Sequence, residues 1–343
     1  MKKKSLSVKK IIPKNLNFNK ILRDKKIFKI YKNFEKNFEN LKNPNKVAVS
    51  VSGGSDSLAL SFLVLCYKFK KKINIHTSFY LINHGLRNNS YEEAISVKNI
   101  LRLNEIDLKI LHWKGKKPKS NIQSLARKKR YELLFNECTK SNIKVVLFGH
   151  HQEDIYETFF SRLLRGSGTE GLSSFSKIEN RFDHKNNKIR VFRPLLNLNK
   201  QDLIYISKKV FKFYIKDPSN EQDRFQRVRI RKLILNLKNE GLDLKKLNLT
   251  INNLASTTEA INEIVEYNIR ENVTFLLKNK YLINSKFFLM PKEIVFRSLS
   301  LLFRKISKKH YPPRGKKMIN LINDLNYKKY TKLTLGGTII EKI

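Results

Sequence analysis

The feature that most constrains the fold is the segment Ser52-Gly53-Gly54-Ser55-Asp56-Ser57, which lies between two apolar patterns of different period. Residues 47–51 form a short apolar run that predicts a buried strand, and residues 56–70 carry a pattern that predicts a helix. Two glycines permit positive φ and a close approach of the backbone to a ligand. A glycine turn that links a buried strand to a helix N-terminus is typical of an anion-binding loop in an α/β domain.

The same strand-and-helix alternation continues to about residue 164. We predict further strands at 75–82, 108–113 and 145–148, and further helices at 91–103, 122–139 and 152–164. Strands that alternate with helices of this length indicate a doubly wound parallel sheet, the Rossmann-like arrangement of α/β proteins. Ligands of such sheets bind beyond the C-terminal ends of the strands, where the glycine segment falls.

Changes in composition suggest the domain boundaries. We predict a basic N-terminal extension over 1–28, a catalytic domain over 29–217, a basic linker helix over 218–240 and a smaller, mainly helical domain over 241–343. Within the last of these, residues 330–343 predict two short strands around Leu335-Gly336-Gly337.

The charge and the cysteines limit the classes of function. The chain carries 71 basic and 29 acidic residues, a net charge of +42, which favours polyanionic partners, although a lysine-rich composition of the whole chain would produce the same excess. No apolar stretch is long enough to span a membrane or to serve as a secretory signal, so we expect a cytoplasmic protein. Cys66 and Cys138 form no CxxC pair, which indicates two buried core thiols.

The chemistry expected of the glycine loop is phosphate binding. Its backbone N–H groups would point into a concave nest at a helix N-terminus, and Ser55 and Ser57 can donate further hydrogen bonds. Asp56 does not suit a pure anion site, so a Mg²⁺ ion that bridges it to phosphates is the natural interpretation. The absence of a Gly-Lys-Ser/Thr ending excludes a Walker A loop. The alternative is a plain glycine turn with a helix cap.

Polar residues after the fourth predicted strand form a second candidate site. His150 lies at the end of that strand, and His151 follows it with no clear preference for a structural or a functional role. Asp154 and Glu157 are three residues apart and share one helix face. First-turn acids that complement the helix dipole would explain Asp154, but they explain Glu157 poorly. A pair of carboxylates at a cleft suits an ammonium ligand.

Five segments together carry a family resemblance. The glycine loop resembles the pyrophosphate-binding loop of the PP-loop ATPases, which cleave ATP between its α and β phosphates and adenylate a substrate. Four further segments resemble motifs of the lysidine synthetases within that family, and the five together span about residues 46–235. Three residues depart from the usual motifs: Asn83 and Glu153 each replace an Asp, and Val228 replaces an Asn. These segments are Asn83-His84-Gly85-Leu86-Arg87, Ala126-Arg127-Lys128-Lys129-Arg130-Tyr131, Gly149 to Thr158 with Arg165-Gly166-Ser167-Gly168, and Asp217-Pro218-Ser219-Asn220 with Arg227-Val228-Arg229-Ile230-Arg231.

The resemblance implies an activity: ATP-dependent ligation of lysine to carbon 2 of the wobble cytidine of an isoleucine tRNA with a CAU anticodon, through an adenylated tRNA. It implies ATP and Mg²⁺ as cofactors, the isoleucine tRNA and L-lysine as partners, and tRNA binding by residues 241–343; a homodimer is compatible with it. The implied ATP-binding residues are Ser52, Gly53, Gly54, Ser55, Asp56 and Ser57, with Asp56 as the metal ligand. The implied catalytic residues are Asp56, Arg127 and His150, the lysine-binding residues are Asp154 and Glu157, and the phosphate or tRNA contacts are Arg227, Arg229 and Arg231.

Two other functions fit parts of the sequence. A PP-loop tRNA thiolase would share the fold, but that chemistry normally requires paired cysteines. A non-catalytic RNA-binding protein with a relic nucleotide site would explain the charge, but it does not explain why Asp56, His150, Asp154 and Glu157 all remain.

Overall fold

The computed structural model describes residues 16–42, 44–87, 89–115, 120, 122–173, 175, 178–183, 187–217, 222–277, 280–307, 312–327 and 332–341. The chain divides into two compact units. The first comprises Met1–Ser167 and Ser174–Leu244, and the second comprises Gly168–Ser173 and Lys245–Ile343. Residues 1–15 of the predicted extension and Pro218, Ser219 and Asn220 of the fifth motif lie outside the described residues.

The first unit contains a six-stranded sheet and its helices. The strands are β1 Lys46–Val51, β2 His76–Asn83, β3 Leu108–His112, β4 Val145–Leu147, β5 Ile178–Phe182 and β6 Lys188–Phe192. The helices are α1 Phe18–Ile21, α2 Lys25–Phe38, α3 Ser55–Lys71, α4 Ser90–Arg102, α5 Ile122–Lys140, α6 Gln152–Leu163, α8 Lys200–Val210 and α9 Gln226–Asn239, with a short 3-10 helix at Glu39–Leu41. The eight elements predicted between residues 47 and 164 are confirmed, and no end differs by more than one residue.

The strand order is β3-β2-β1-β4-β6-β5. Strands β1, β2, β3, β4 and β6 pair in parallel, which confirms the predicted doubly wound sheet, and β5 pairs antiparallel with β6 at one edge. Strands β5 and β6 were not predicted, because charged residues interrupt their apolar pattern. The chain runs outward from β1 through β2 and β3, then returns to β4 on the other side of β1. The gap between β1 and β4 is therefore the switch point of the sheet.

Both faces of the sheet are covered, which explains why four of the six residues of β1 are apolar, on both faces of the strand. On one face, Val47, Val49 and Val51 pack in a cluster that includes residues of α2, α3, α4 and α8. On the other face, Ala48 packs with residues of α5, among them Leu134 and Cys138. Both cysteines are fully buried and unpaired, which confirms the core thiols predicted from the sequence.

The edges of the first unit differ from the predicted domain boundaries. Helix α2 begins before residue 29: Asp24 caps its N-terminus, and Leu22 and Ile27 are buried in the core. Helix α9, predicted as a linker, belongs to the first unit and buries Val228 and Ile234. Both differences have the same cause. The basic helices α2 and α9 carry apolar residues at helical spacing, and these residues are buried against the sheet domain.

The second unit is mainly helical with two hairpins. It contains α7 Thr169–Ser173, α10 Leu244–Asn272 from Lys245 onward, β7 Val273–Leu277, β8 Lys280–Ile283, a 3-10 helix at Ser285–Leu289, α11 Lys292–Ser307, α12 Gly315–Tyr327, β9 Lys332–Leu335 and β10 Thr338–Glu341. The predicted pair of C-terminal strands is confirmed, and Gly336 and Gly337 both adopt the positive φ of the tight turn between them. Hairpin β7–β8 was not predicted. Among the described residues, no helix has the length and apolar character that a membrane span requires.

Candidate active site

A cavity of about 870 Å³ opens where β1 and β4 end side by side. The glycine loop, residues 52–57, forms one wall, and the segment from β4 to α6 forms the next. The start of α8, the segment 214–217, the inner face of α9 and Arg130 of α5 contribute further lining residues. All of these elements belong to the first unit. The cavity thus lies at the switch point of the sheet, where the topology leaves room for a ligand.

A positive φ at Gly53 and several hydrogen bonds fix the conformation of the glycine loop. Gly53 adopts a φ of +81°, and its carbonyl oxygen accepts a hydrogen bond from the Ile215 N–H at 2.9 Å. A Cβ atom on Gly53 would lie 2.5 Å from a Val97 methyl and 2.8 Å from one of Ile215. The Ser57 hydroxyl accepts from the Ser52 N–H and donates to the Gly54 carbonyl. These bonds hold the loop at the N-terminus of α3, where the helix dipole favours a phosphate.

Gly149, at the end of β4, touches the first turn of α3. A Cβ atom there would lie 3.0 Å from the Asp56 carbonyl carbon and oxygen and 3.1 Å from the Ser57 nitrogen. These neighbours are backbone atoms and cannot rotate away. The glycine that precedes His150 therefore permits the close packing that brings β4 and the glycine loop to one site.

We expect Gly149→Ala to displace the first turn of α3, because its methyl group would overlap that backbone. The expected loss of stability is about 1–3 kcal/mol, as for other overpacked sites, together with weaker ATP binding. Thermal unfolding and titration with ATP measure the two effects. Gly315→Ala is the matched control, since its Cβ atom would meet only Phe296 at an ordinary 3.9 Å. Equal behaviour of the two variants would contradict the proposed tight contact.

Asp56 and Lys200 form an ion pair inside the cavity. The Lys200 Nζ atom lies 2.6 Å from Oδ1 and 2.7 Å from Oδ2 of Asp56. Asp56 also accepts a hydrogen bond from the Ser55 hydroxyl at 3.1 Å. The side chains are 25% and 39% exposed, so both groups remain accessible to a ligand.

The donor set can hold Mg²⁺ only with help from a ligand. Among the described residues there is no group of three or more His, Cys, Asp or Glu side chains that could enclose a metal ion. Asp56 supplies one carboxylate at the glycine loop, and Mg²⁺ in phosphate sites commonly uses one or two carboxylates, phosphate oxygens and water. The residues present therefore fit such an ion, with Asp56 as its protein ligand.

His151, Glu153 and Asp154 form a network beside the glycine loop. The Nδ1 atom of His151 lies 2.7 Å from Glu153, and its Nε2 atom lies 3.6 Å from Asp154 and 3.7 Å from Asp56. Burial alone would lower the pKa of His151, but the Glu153 hydrogen bond and the charges of Asp154 and Asp56 raise it above the usual value. Glu153 also accepts from the Lys200 N–H at 3.1 Å, which ties α8 to this network. His151, whose role was ambiguous in the sequence, is therefore the histidine of the site whose pKa is raised by neighbouring carboxylates.

His150 lines the cavity as a neutral ring. It stacks on Phe148 at 5.7 Å between ring centroids and meets the edge of Phe175 at 5.5 Å. Burial lowers the pKa of His150 to about 3, against the opposing charge of Asp154. An imidazole with that pKa is uncharged near neutral pH and is a weak base, so His150 can serve as a hydrogen-bonding group but is a poor acceptor for the proton of an ammonium ion.

Glu157 is the most deeply buried carboxylate of the cavity. Its side chain is 3% exposed, and its Oε1 atom accepts a hydrogen bond from the Arg231 Nε at 2.5 Å. Its Oε2 atom is buried and has no hydrogen-bond partner among the residues that the structure describes. Burial raises the pKa of Glu157, while the hydrogen bond and charge of Arg231 oppose that shift. Asp154, one helical turn earlier, lines the same cavity, so the two carboxylates share a helix face as the spacing predicted.

The three arginines of α9 have different surroundings. Arg227 and Arg231 are four residues apart and both line the cavity. Arg229 is exposed on the other side of the helix and donates to the Asp223 carbonyl at 2.7 Å. Of these three residues, which the sequence analysis grouped as phosphate or tRNA contacts, Arg231 is engaged by Glu157, and Arg227 has no carboxylate partner in the described part of the chain.

On α5, Arg130 and not Arg127 is among the described residues that line the cavity. The Arg127 guanidinium lies over the Tyr131 ring, 5.3 Å from its centroid, and donates to the Tyr131 hydroxyl at 3.2 Å. Arg130, three residues further on, lines the cavity, whereas Arg127 is engaged by Tyr131. We therefore retain Arg127 only as a proposed catalytic residue and add Arg130 as a second candidate for the same task.

Two more motif residues have structural partners. The Asn83 side-chain oxygen accepts from the Gly85 N–H at 2.9 Å, so an amide fulfils here what an aspartate oxygen would do in the usual motif. Arg87 pairs with Glu93 at 2.8 Å and with Asp217 at 2.9 Å. The second pair joins the end of β2 to the segment 214–217 that borders the glycine loop.

Lys200 and Arg130 are residues of the site that were not predicted from the sequence. Arg130 lies in a segment already recognised as a motif, three residues after Arg127. That spacing could have indicated that Arg130 also reaches the site. Lys200 carried no local signal, because it lies 144 residues from Asp56 along the chain.

Comparison with known families agrees with this geometry. A model described as the PP-loop domain matches residues 24–238. The chain is 34% identical over 304 residues to the tRNA(Ile)-lysidine synthase of Wolbachia pipientis wMel. The matched region covers 87% of this chain and 68% of the relative. It is 35% identical over 323 residues to the tRNA(Ile)-lysidine synthase of Orientia tsutsugamushi, and that match covers 90% of this chain and 71% of the relative.

Among solved structures, a U34-tRNA thiolase from Methanococcus maripaludis superposes with a TM-score of 0.55. The superposition covers 70% of this chain and 81% of the thiolase, at 17% sequence identity. At that identity the likeness concerns the fold alone, and it supports the α/β PP-loop architecture described above.

Proposed function

The chain belongs to the tRNA(Ile)-lysidine synthase family of PP-loop proteins, and we propose that it joins lysine to carbon 2 of the wobble cytidine in an isoleucine tRNA with a CAU anticodon. Family membership makes it an ATP-using, tRNA-modifying enzyme. The identity of the amine, the adenylated intermediate, the Mg²⁺ ion and the residue roles are parts of the proposal.

The observation that carries the choice of lysine is the unpartnered oxygen of Glu157. A carboxylate oxygen that is buried at a cavity without a hydrogen bond is unfavourable unless a ligand completes it. Asp154 adds a second negative charge on the same face. An ammonium group satisfies both: its N–H groups can donate to Glu157 Oε2 and Asp154, and its charge offsets theirs. The ε-ammonium of lysine has this chemistry.

The proposed reaction has two balanced steps. In the first, the O2 atom of the cytidine attacks the α-phosphorus of ATP and pyrophosphate leaves. In the second, the neutral ε-nitrogen of lysine attacks carbon 2, the bond from carbon 2 to the adenylate oxygen breaks and AMP leaves. Mg²⁺, when bound at Asp56, would supply positive charge to the phosphates. The N–H groups of the glycine loop and the guanidinium groups of Arg130 and Arg227 would stabilise the charge of the departing pyrophosphate.

The lysine nucleophile must lose a proton before it attacks. His150 suits this task poorly because its pKa lies near 3. Glu157 suits it better, because burial raises the pKa of its carboxyl group toward the range of a useful base. We therefore propose that Glu157 accepts the proton of the lysine ammonium and that Asp154 keeps its negative charge. His150 would form hydrogen bonds within the site.

The two cysteines argue against the thiolase alternative. Sulfur transfer requires an accessible thiolate or a cluster ligand. Cys66 and Cys138 are fully buried in separate clusters on opposite faces of the sheet. Burial raises the pKa of Cys138 to about 12 and raises that of Cys66 as well. Neither thiol is accessible or readily ionised.

The decisive experiment is mass analysis of tRNA nucleosides after incubation with ATP, Mg²⁺ and labelled lysine. We expect one lysine per isoleucine tRNA, with one AMP released per lysine incorporated. Methionine tRNAs share the CAU anticodon and form the control, and they should accept little lysine. Incorporation of sulfur, or release of AMP without transfer of label, would contradict the proposed function. If the protein bound tRNA but did not consume ATP, that result would support the alternative of a non-catalytic RNA-binding protein.

A further inference from the structure

Lys200 occupies a position that the proposed reaction has not yet used. It is the first residue of α8, and its ammonium group reaches Asp56 across the cavity with both carboxylate oxygens within 2.7 Å. Asp56 lies in the first turn of α3, in the part of the glycine loop that begins the helix. A phosphate held at the N-terminus of α3 would therefore lie next to the Lys200 ammonium.

The backbone of Lys200 is fixed while its ammonium is not. Its N–H donates to both oxygens of Glu153, which His151 holds in turn. The Ser207 hydroxyl, further along α8, donates to the Ser55 carbonyl at 2.7 Å. These contacts dock α8 against the start of α3. The Lys200 side chain is 39% exposed, so its ammonium can exchange one anionic partner for another within the cavity.

Charge explains why a lysine is useful at this position. Asp56 places a negative charge at a loop that must receive the most negatively charged part of ATP. Lys200 neutralises that charge through its ion pair with Asp56. Once a phosphate anion arrives, the ammonium is within reach of it and can donate to its oxygens, which releases Asp56 to bind another cation.

We propose that Lys200 is a phosphate-binding residue of the active site, held on Asp56 until the phosphates of ATP or pyrophosphate arrive and then donating to them. This assignment rests on the proposed use of the glycine loop for the pyrophosphate end of ATP. It makes Lys200 part of the binding machinery rather than only the partner of Asp56.

The test measures pyrophosphate binding by calorimetry in the presence of EDTA, so that no metal contributes. We expect Lys200→Met to weaken binding about tenfold or more, the usual effect of losing one charge-assisted hydrogen bond. Lys200→Arg should retain most of the affinity because it retains the charge. Lys208→Met is the matched control: Lys208 is exposed at the far end of the same helix, and its loss should leave the affinity unchanged.

A double-mutant cycle with Asp56→Asn separates a direct contact from mere neutralisation. If Lys200 only neutralises Asp56, then Lys200→Met should have no effect once Asp56→Asn has removed the charge. If Lys200 contacts the phosphate, its loss should still weaken binding severalfold in the Asp56→Asn background, and that is the expected result. Unfolding curves of each variant exclude loss of structure as the cause.

The outcomes distinguish the two levels of the proposal. Wild-type protein that binds pyrophosphate, with unchanged affinity in Lys200→Met or no effect in the Asp56→Asn background, would overturn the role of Lys200 alone. Wild-type protein that binds no pyrophosphate would contradict the proposed nucleotide site, and the assignment of Lys200 with it.

Discussion

Asp56→Asn is expected to reduce tRNA-dependent release of AMP by a factor of about a hundred or more, the loss seen when a preorganised charge is removed from a reacting centre. Asp56 is the only acidic residue in the first turn of α3, where the glycine loop joins the helix. The amide keeps the shape of the side chain but loses the charge that would hold Mg²⁺ beside the phosphates. Because the substitution also removes a negative charge, binding of pyrophosphate without metal should be retained or strengthened.

This combination of lost turnover and preserved anion binding is the signature to look for. Asp107→Asn provides the control, since Asp107 is an exposed aspartate just before β3 and away from the cavity. Both variants should unfold at the temperature of the wild type to within a few degrees. Near-normal turnover of Asp56→Asn, with an unchanged dependence on Mg²⁺, would refute the proposed metal site.

Glu157→Gln is expected to raise the Michaelis constant for lysine about thirtyfold or more, as when one member of a buried charge pair is removed, with little change in that for ATP. Two effects act in the same direction. The ammonium of lysine loses the carboxylate whose free oxygen would receive it, and the nearby Arg231 guanidinium loses its counter-charge and repels the ammonium. The amide oxygen can still accept from Arg231, so the position of α9 should be kept.

Removal of a proton from lysine gives Glu157 a second role, in the attack of the amine on carbon 2. A free lysine side chain has a pKa near 10.4, so roughly one molecule in 2,500 carries the neutral amine at pH 7. The enzyme must therefore bind the ammonium and remove its proton beside carbon 2. A glutamine cannot accept that proton, so adenylated tRNA should accumulate when lysine is limiting.

Rapid quenching and nucleoside analysis can detect that intermediate. Glu240→Gln is a suitable control, because Glu240 is an exposed glutamate just after the end of α9. Loss of adenylation in Glu157→Gln, with normal affinity for lysine, would instead assign Glu157 to the ATP end of the cavity.

Much of the fold could be predicted from the sequence because its signals are local. Apolar runs and helical spacing between residues 47 and 164 identified each strand and helix to within one residue. The glycine loop was recognisable for the same reason: positive φ at Gly53 and the turn into α3 depend on residues adjacent in the chain. The pair Asp154 and Glu157 followed from the geometry of one helix. Strands β5 and β6 were missed because charged residues interrupt the apolar pattern that marks a strand.

Only the tertiary structure decided which charges meet. Lys200 reaches Asp56 across 144 residues, and Arg231 reaches Glu157 across 74, so neither pair leaves a trace in the local sequence. The same holds for protonation. His150 and His151 are adjacent in the chain, yet burial lowers the pKa of His150 while neighbouring carboxylates raise that of His151. Backbone conformation depends mainly on nearby residues, but the charge state of a side chain depends on everything packed around it, and that packing exists only once distant segments have come together.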